Sequence, residues 1–400
     1  MTPGWQFLAL LRAAFGLSLC GYLFYAGMTV WAALKWKRVK PRIDPKWTPG
    51  VTILKPVKGV DADAYANFVS YCKQDYPQEK LQILFGALEA DDPALEYANQ
   101  LIHDFPNLDI GVHIAPPDSP SGMNRKVCNL LHLLPLAKHE YLVLSDSDMR
   151  VESDYLRRIL APFAPENQVE NPLDSQQCGL VTCPYRAEEA RSLAAKLESL
   201  GIGSDFIPSV LTSRALEGVS FALGSTIVIP KKILAEIGGF EPLLDQLADD
   251  FRLGNAVSKV GYKVILSDYV IEDVIGDEKF QPMWSRRLRW AKTLRVCRPA
   301  GYGGAFITHG FALSLLFLVS MGFQAPGWAA LLLILIIRVS TSLFISLSCT
   351  KDPNVLRFLA LLPVSDLLNF SLYVCSYFGN SIVWRGEKFQ LSKDGSLRKF

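Results

Sequence analysis

The sequence lacks the short motifs that mark several large classes of protein. It has no C-x-x-C pair among its eight cysteines and no H-E-x-x-H spacing among its five histidines, which argues against a zinc site or a zinc hydrolase. It has no G-x-x-x-x-G-K-[ST] segment, so it is not a P-loop ATPase. The formal net charge is only +2 over 400 residues. Nucleic-acid-binding proteins need many phosphate-neutralising lysines and arginines, so no nucleic-acid partner is expected.

Long apolar runs are missing from the middle of the chain but occur at both ends. The first, Ala13 to Leu34, is almost uncharged, and basic residues from Lys35 to Arg42 follow at once. About 20 apolar residues span a bilayer, and a dense basic flank favours the cytoplasmic side. A cleaved signal peptide would carry its charge before the apolar run. The pattern predicts an uncleaved anchor, with a merely buried helix as the alternative.

The C-terminal part contains three more apolar runs, Phe306–Phe323, Trp328–Leu347 and Leu356–Phe378. The last is interrupted by Pro363 and Asp366, and the tail after it is net basic. Four crossings would place this tail outside, whereas an interfacial or re-entrant last segment would return it to the inside. Arg338 lies within the second run, where either a function or a snorkelling or helix–helix contact explains an arginine. The sequence leaves both choices open.

These runs divide the chain into three expected parts. Residues 1–40 form an N-terminal membrane anchor, and residues 41–301 form a polar domain on the cytoplasmic side. Residues 302–400 form a C-terminal transmembrane and interfacial region with a short basic tail. The basic stretch from Arg286 to Arg298 directly precedes the first C-terminal run, so an interfacial helix is expected near residues 281–300.

Strand and helix patterns alternate within the polar segment. The strand-like stretches VTILKPV, LQILFGAL, LDIGVHIA and YLVLSDSD are separated by helical stretches such as DADAYANFVSYCKQDYP and NRKVCNLLHLLPLAKH. This alternation predicts a mostly parallel, three-layer α/β sheet. In such sheets ligands bind beside the carboxyl ends of the strands.

Asp146 and Asp148 lie at such an end, in the stretch YLVLSDSDMRV. Aspartate and serine are common turn residues, so a lone D-x-D has a structural explanation. The preceding strand is apolar on both faces, however, which is typical of a central strand. Two carboxylates at this spacing can hold one Mg²⁺ or Mn²⁺ ion, which takes substrate phosphates as further ligands. With no P-loop present, the diphosphate of a sugar nucleotide is the expected partner.

Two later motifs fit the same chemistry. Asp249 and Asp250 are expected at the start of a helix, where a carboxylate acts either as a general base or as a helix cap. Arg286, Arg289 and Trp290 are expected near one face of a helix at the membrane boundary. They suit either a diphosphate clamp or an interfacial basic and aromatic anchor, and both roles can hold at once.

The order of these motifs is more specific than any one of them. LKPVKG, LEADDPA, NRKVCNL, SDSDMRV, LGSTIVI, LADDFRLG and RRLRW follow one another along the chain. In this combination the chain resembles the ceramide glucosyltransferase family, within the family-2 type of glycosyltransferases with a GT-A fold. The stretches GSTIVIPKKILAEIGGFEPLLDQLADDFRLG and CRPAGYGG are nearer still to the bacterial branch that includes the hopanoid-biosynthesis glycosyltransferase. The resemblance implies a Rossmann-like GT-A domain between N-terminal and C-terminal transmembrane helices.

The resemblance also implies roles for individual residues. Asp146 and Asp148 would hold the metal, and Asp146 also the donor diphosphate, while Asp250 would be the base that deprotonates a lipid hydroxyl. Spacing alone does not choose Asp250 over Asp249. The further donor-binding residues implied are Lys55, Glu89, Lys126, Arg286, Arg289 and Trp290. Glu89 stands where many relatives have an aspartate, and Arg286 where processive relatives often carry glutamine.

The expected function is that of an inverting, membrane-bound glycosyltransferase. It would transfer glucose or N-acetylglucosamine from a UDP-sugar to the hydroxyl of a membrane lipid, most closely a hopanoid or a ceramide-type acceptor. The expected partners are the UDP-sugar, a divalent metal, the lipid, the bilayer and other lipid-biosynthesis enzymes, and the expected location is a bacterial inner membrane. The alternatives are a processive polysaccharide synthase, which needs enough helices to line a channel, and a non-catalytic membrane scaffold or transporter.

Overall fold

The computed structural model describes residues 3–116, 118–168, 176–384 and 387–399. The strands are β1 (Val51–Pro56), β2 (Leu81–Ala87), β3 (Asp109–Ile114), β4 (Tyr141–Leu144), β5 (Met149–Arg150), β6 (Cys178–Thr182), β7 (Tyr185–Glu188), β8 (Ile227–Pro230), β9 (Lys263–Leu266), β10 (Ile271–Val274), β11 (Ser381–Trp384), β12 (Glu387–Leu391) and β13 (Leu397–Lys399).

The helices are α1 (Pro3–Arg38), α2 (Ala64–Cys72), α3 (Ala94–Asp104), α4 (Arg125–Leu133), α5 (Tyr155–Leu160), α6 (Pro165–Gln168), α7 (Leu193–Gly201), α8 (Ile207–Glu217), α9 (Lys231–Glu236), α10 (Asp249–Lys259), α11 (Phe280–Cys297), α12 (Pro299–Gly304), α13 (Gly310–Ser320), α14 (Ala325–Ile345), α15 (Asn354–Arg357) and α16 (Leu362–Ser376). The π-helical segment Ile202–Phe206 joins α7 to α8, and a second one, Ser346–Thr350, continues α14.

The main sheet has seven strands among the described residues, in the order β3-β2-β1-β4-β8-β6-β9. Its strand pairs are parallel except where β8 runs antiparallel to β4 and β6. Strand β4, which leads into the D-x-D, is the middle strand. The predicted α/β sheet and the predicted central position of this strand are confirmed.

Both faces of the sheet are covered, which explains the near-continuous apolar runs of its strands. On one face, Ile53 of β1 belongs to the same core cluster as Phe68 of α2. On the other face, the next residue, Leu54, belongs to a cluster with Leu130 of α4. Because successive strand side chains point to opposite faces, an apolar β1 fills two cores at once. The result is the three-layer arrangement that the sequence predicts.

Local sequence features hold the loops around the carboxyl ends of the strands. Asn124 caps α4, because its side-chain oxygen accepts hydrogen bonds from the backbone N–H groups of Lys126 at 3.1 Å and Val127 at 3.2 Å, which satisfies donors that a helix start leaves free. In α10, Gly254 allows close packing, since a Cβ there would lie 2.4 Å from the backbone nitrogen of Ala222. These contacts fix the start of α4 and hold the middle of α10 against the segment that precedes β8.

Membrane-type helices lie at both ends of the chain, as predicted. Among the described residues, the segments long and apolar enough to cross a membrane are Gln6–Arg38, Ala325–Thr350 and Leu359–Ser376. A bent pair, Pro299–Thr308 with Gly310–Ser320, is a fourth candidate with an angle of 59° between its helices. The predicted run at 306–323 therefore contains a break, and its regular helix α13 is only 11 residues long.

Arg338 makes a helix–helix contact, which was one of the two explanations that the sequence left open. Its Nε donates to both carboxylate oxygens of Asp366 in α16, at 3.1 and 3.0 Å. Its guanidinium also binds the carbonyl of Ser204 and, at 2.9 Å, a carboxylate oxygen of Asp205 in the first π-helical segment. Arg338 is 7% exposed. It joins α14 and α16 to the α/β part of the molecule.

The last apolar segment lies against the α/β part at both of its ends. Before it, Asn354 Nδ2 donates to the carbonyl of Ala187 at 2.7 Å. After it, Lys292 Nζ of α11 donates to the carbonyl of Ser381 at 2.8 Å. A helix held in this way keeps the C-terminal tail on the side of the α/β part. Length and composition still allow this segment to cross a membrane, so the interfacial and the spanning alternatives both stay open.

Candidate active site

A cavity of about 820 Å³ lies where β1, β2 and β4 end, beside the start of α10 and one face of α11. Its lining includes most of the residues singled out in the sequence, namely Glu89, Lys126, Asp146, Asp148, Asp250, Arg286, Arg289 and Trp290. Residues as far apart in the sequence as Glu89 and Trp290 therefore meet in one cleft, at the edge of the sheet where α/β proteins bind ligands.

The two carboxylates of the D-x-D have different surroundings. Asp146 Oδ1 lies 2.6 Å from Lys126 Nζ, so its charge is already paired. Asp148 Oδ1 is buried and has no hydrogen-bond partner among the described residues. The pKa of Asp148 is raised to about 7, mainly by burial and also by the negative charges of Asp146 and Asp61. A buried acceptor without a donor calls for a cation or a proton.

The donor set is compatible with a hard divalent cation. Among residues 3–116, 118–168, 176–384 and 387–399, no group of three or more His, Cys, Asp or Glu side chains is arranged to hold a metal. Ions such as Mg²⁺ and Mn²⁺ usually take one or two protein carboxylates and complete their shell with waters and substrate phosphates. Asp146 and Asp148, with the unpartnered oxygen of Asp148, fit that description.

Lys55 lies beneath the cavity and is not part of its lining. Its ammonium group donates to the carbonyl oxygen of Asp146 at 2.7 Å and lies 3.8 Å from the ring centre of Tyr71. Burial lowers the pKa of Lys55 to about 7, against the opposing effect of Asp148 and Asp146. The sequence grouped Lys55 with the donor-binding residues. In the structure it instead fixes the backbone that presents the D-x-D.

Asp250 and Asp249 begin α10, as expected, and they point to different partners. Asp250 Oδ2 accepts a hydrogen bond from the N–H of Gly224 at 3.0 Å, whereas Asp249 Oδ1 accepts one from Asn124 Nδ2 at 3.1 Å. Burial raises the pKa of Asp250 to about 6, and the adjacent charge of Asp249 adds to the rise. A carboxylate with a raised pKa is a better proton acceptor near neutral pH. This environment suits Asp250 to accept a proton from a ligand in the cavity.

Gly224 brings the two ends of the site together. A Cβ at this position would lie 3.1 Å from Asp146 Oδ2, 3.4 Å from Asp250 Oδ2 and 3.4 Å from Lys126 Nζ. The D-x-D and the start of α10 therefore face the same small space. Lys126 supplies the positive charge here and pairs with Asp146 and Asp249. Burial alone would lower the pKa of Lys126, but these two carboxylates raise it above the ordinary lysine value.

One face of α11 forms a wall of the cavity. Arg286, Arg289 and Trp290 share it, as their i, i+3 and i+4 spacing requires. Arg286 is held by two carboxylates, Glu278 Oε2 at 2.7 Å and Glu198 Oε1 at 3.2 Å. Burial alone would lower the pKa of Arg286, but these two charges raise it above its usual range. Arg286 also lies 5.4 Å from the ring centre of Trp290.

Another part of the lining, just after β2, carries Glu89. Lys58 Nζ lies 2.9 Å from Glu89 Oε2, and Arg125 forms a second ion pair with the other carboxylate oxygen. All three side chains are partly exposed to the cavity. A wall with two cations around one carboxylate is suited to a polar, charged ligand.

Sequence reasoning missed several residues of the site. Lys58 and Arg125 stood inside motifs already noted, LKPVKG and NRK, and their charge was the available signal. Glu198 is 2% exposed, although its surroundings in the sequence, AAKLESLG, look like an ordinary helix surface. Trp384, from the last part of the chain, also lines the cavity. No local pattern connects it with residues near 250 or 290.

Comparisons with known proteins show which family and which fold this chain shares. The model of the family described as "Glycosyl transferase family 21" matches residues 15–397. Ceramide glucosyltransferase 1 of Caenorhabditis elegans is 24% identical over 90% of this chain and 76% of its own length. A ceramide glucosyltransferase of Candida albicans is 33% identical, over 27% of this chain and 21% of its own. Among solved structures, a Pyrobaculum calidifontis mannosyltransferase in complex with GDP-Man and Mn²⁺ has a TM-score of 0.56 and 17% identity, covering 92% of this chain and 99% of that one.

Proposed function

This chain belongs to glycosyl transferase family 21, and we propose that it transfers a sugar from a UDP-sugar to the hydroxyl of a membrane lipid. The observation that carries the proposal is the single cavity in which the D-x-D, Asp250 and the arginines of α11 meet beside membrane-type helices. Relatives named ceramide glucosyltransferase support a lipid acceptor.

The donor lies with its diphosphate near Asp146, Lys126 and Arg289. These groups line the cavity where β4 ends, and cations there stabilise the negative charge that develops on the departing nucleotide. Asp146 and Asp148 would hold a divalent metal, which when bound neutralises the leaving diphosphate. The Mn²⁺ in the Pyrobaculum mannosyltransferase structure supports this assignment. Glu89, with Lys58 and Arg125, is proposed to contact the nucleoside part.

Asp250 is the proposed general base. It accepts the proton of the acceptor hydroxyl as the hydroxyl oxygen attacks the anomeric carbon, and the bond from that carbon to the diphosphate breaks. One base and one leaving group suit a single in-line displacement, so an α-linked donor gives a β-glycoside. The pKa of Asp250, raised to about 6, leaves the carboxylate ionised at neutral pH but more basic than an ordinary aspartate.

The acceptor reaches the cavity from the bilayer. We assign residues 1–40 to the membrane anchor, residues 41–301 to a cytoplasmic glycosyltransferase domain and residues 302–400 to the C-terminal membrane region. A bacterial inner membrane and a hopanoid-type or ceramide-type acceptor are the proposed setting, supported by the long local matches noted in the sequence. The transferred sugar is glucose or N-acetylglucosamine.

A reconstituted assay tests the proposal. The full chain in nanodiscs receives UDP-glucose or UDP-N-acetylglucosamine with ceramide, a hopanoid polyol or diacylglycerol, and the lipids are analysed by mass spectrometry. One donor and acceptor pair is expected to yield a glycolipid. Asp250→Asn is expected to lower kcat by about 10²–10⁴-fold, the usual contribution of a general base, and Asp249→Asn is the matched control with a smaller effect. Equal losses in both variants contradict the base assignment, and no glycolipid from any pair contradicts the function.

A further inference from the structure

The C-terminal strands fold back onto the candidate active site. Strands β11, β12 and β13 form a separate antiparallel sheet, called here the C-terminal sheet. It packs around a small core made of Leu247, Ile382, Phe389, Leu391 and Leu397. Four of these five residues come from the sheet itself, and Leu247 comes from the loop just before Asp250. Strands β11, β12 and β13 are thereby tied to the segment that carries the proposed base.

Backbone contacts fix this docking in register. The N–H of Leu397 donates to the carbonyl of Asp245 at 2.8 Å, and the N–H of Leu247 donates to the carbonyl of Gly395 at 3.2 Å. On the other side, Lys292 Nζ of α11 donates to the carbonyl of Ser381 at 2.8 Å. The C-terminal sheet thus bridges the two elements, the start of α10 and the helix α11, that carry Asp250 and Arg289.

The edge of this sheet that faces the cavity is apolar. Val383 and Trp384 of β11 line the cavity, and Trp384 also packs against the core that contains Leu247. The Arg289 guanidinium lies 5.4 Å from the ring centre of Trp384. This wall differs from the one around Glu89, where Lys58 and Arg125 supply charge. A charged nucleotide suits that polar wall, whereas hydrocarbon next to a lipid hydroxyl suits the indole and the valine.

We propose that Trp384, with Val383 beside it, forms the apolar wall of the acceptor subsite and contributes to the selection of the lipid. The inference rests on the proposed lipid glycosyltransferase function. The acceptor hydroxyl must approach Asp250 to lose its proton, and Leu247, three residues earlier, packs in the same cluster as Trp384. The carbon frame that carries the hydroxyl then lies against the indole face. Trp384 is a specificity residue of the acceptor side, contributed by a part of the chain far from the catalytic motifs.

Steady-state kinetics with both substrates varied tests this inference. The assay uses nanodiscs and the donor and acceptor pair, among ceramide, the hopanoid polyol and diacylglycerol, that gives most product. Trp384→Ala is expected to raise the acceptor KM at least about tenfold, because a large apolar contact is lost. The donor KM is expected to change less than about threefold, since a partly exposed cation–π contact contributes little. Trp384→Phe keeps an aromatic face and is expected to recover most of the acceptor KM.

Two further variants distinguish a change in the apolar wall from a general effect of substitutions in the C-terminal sheet. Val383→Ser places a hydroxyl in the same wall at a position that is 46% exposed, and a severalfold rise of the acceptor KM is expected. Lys388→Ala, on the exposed cross-strand neighbour of Val383, is the matched control and is expected to leave both KM values unchanged.

The outcomes distinguish the inference from the function on which it rests. If the unaltered chain makes glycolipid while Trp384→Ala and Val383→Ser keep its acceptor KM, the acceptor-wall inference is wrong and the proposed function stands. Donor and acceptor KM rising by the same factor in both variants also overturn the inference. An unaltered chain that glycosylates no lipid overturns the function itself, and the inference with it.

Discussion

Arg338 provides the clearest quantitative prediction about stability. This residue of α14 forms ion pairs with Asp366 of α16 and with Asp205 of the π-helical segment after α7. Asp366 is only 6% exposed, so it depends on Arg338 for its charge compensation. We expect Arg338→Met, which keeps the length of the side chain but removes its charge, to leave this buried carboxylate without a cation.

The expected sizes follow from which partners remain in each variant. Breaking a buried ion pair by removing one partner costs about 3–5 kcal/mol, because an uncompensated buried charge is left behind. We expect a loss of this size from Arg338→Met. In Asp366→Asn the arginine keeps Asp205 at 2.9 Å and the carbonyl of Ser204, so a loss of about 1–3 kcal/mol is expected. In the double variant Arg338→Met/Asp366→Leu no buried charge is stranded, and part of the stability should return.

Thermal unfolding in detergent measures these differences. A thiol-reactive fluorogenic dye reports unfolding, because Cys72, Cys128, Cys178 and Cys183 are buried in the folded chain. Arg338→Met should melt at the lowest temperature, the double variant above it, and Asp366→Asn nearest to the unaltered chain. If the double variant melts no higher than Arg338→Met alone, or if Asp366→Asn is the worst of the three, the buried charge is not what the arginine compensates.

Two further predictions concern the catalytic groups. Because burial raises the pKa of Asp250 to about 6, the base is protonated below that pH, so kcat/KM should fall about tenfold per pH unit below pH 6; a pH–rate profile that stays flat down to pH 4.5 contradicts this. Gly224→Ala places a Cβ 3.1 Å from Asp146 Oδ2. It should lower the rate of sugar transfer at least about tenfold with little change in melting temperature, because the carboxylate of Asp146 is displaced from its productive position. Gly303→Ala, with nothing within 4 Å of the added carbon, is its control, and equal effects of the two substitutions contradict the assignment.

The features that the sequence predicted correctly are those with a local physical cause. Strand β4 reads YLVL because both of its faces are covered, and a strand covered on both faces must be apolar throughout. Its central position then places whatever follows it at the carboxyl edge of the sheet, where ligands bind. The inference from four apolar residues to the location of Asp146 and Asp148 needed no long-range information.

Contacts between elements that are far apart in the sequence could not be predicted from a local pattern of residues. Glu198 is enclosed by Arg286 and Arg287, almost 90 positions later, yet a glutamate in a helix is normally read as exposed. Likewise Lys55 lies outside the lining of the cavity, and its ammonium group donates to the carbonyl of Asp146. In both cases the burial of a charge is decided by a partner from another element, and spacing within one element does not reveal such a partner.

In the last apolar run, the arrangement of polar and apolar residues is typical of a helix surrounded by lipid and not of one surrounded by water. Hydropathy alone made Leu359–Ser376 a candidate span. Its polar residues Ser365, Asp366 and Asn369 recur at i, i+1 and i+4, and all three are buried against protein. Its apolar residues Val364 and Leu367 are 51% and 42% exposed. A helix with its polar face inward and its apolar face outward is inverted relative to a helix in water, as expected where lipid surrounds the outer face of the helix.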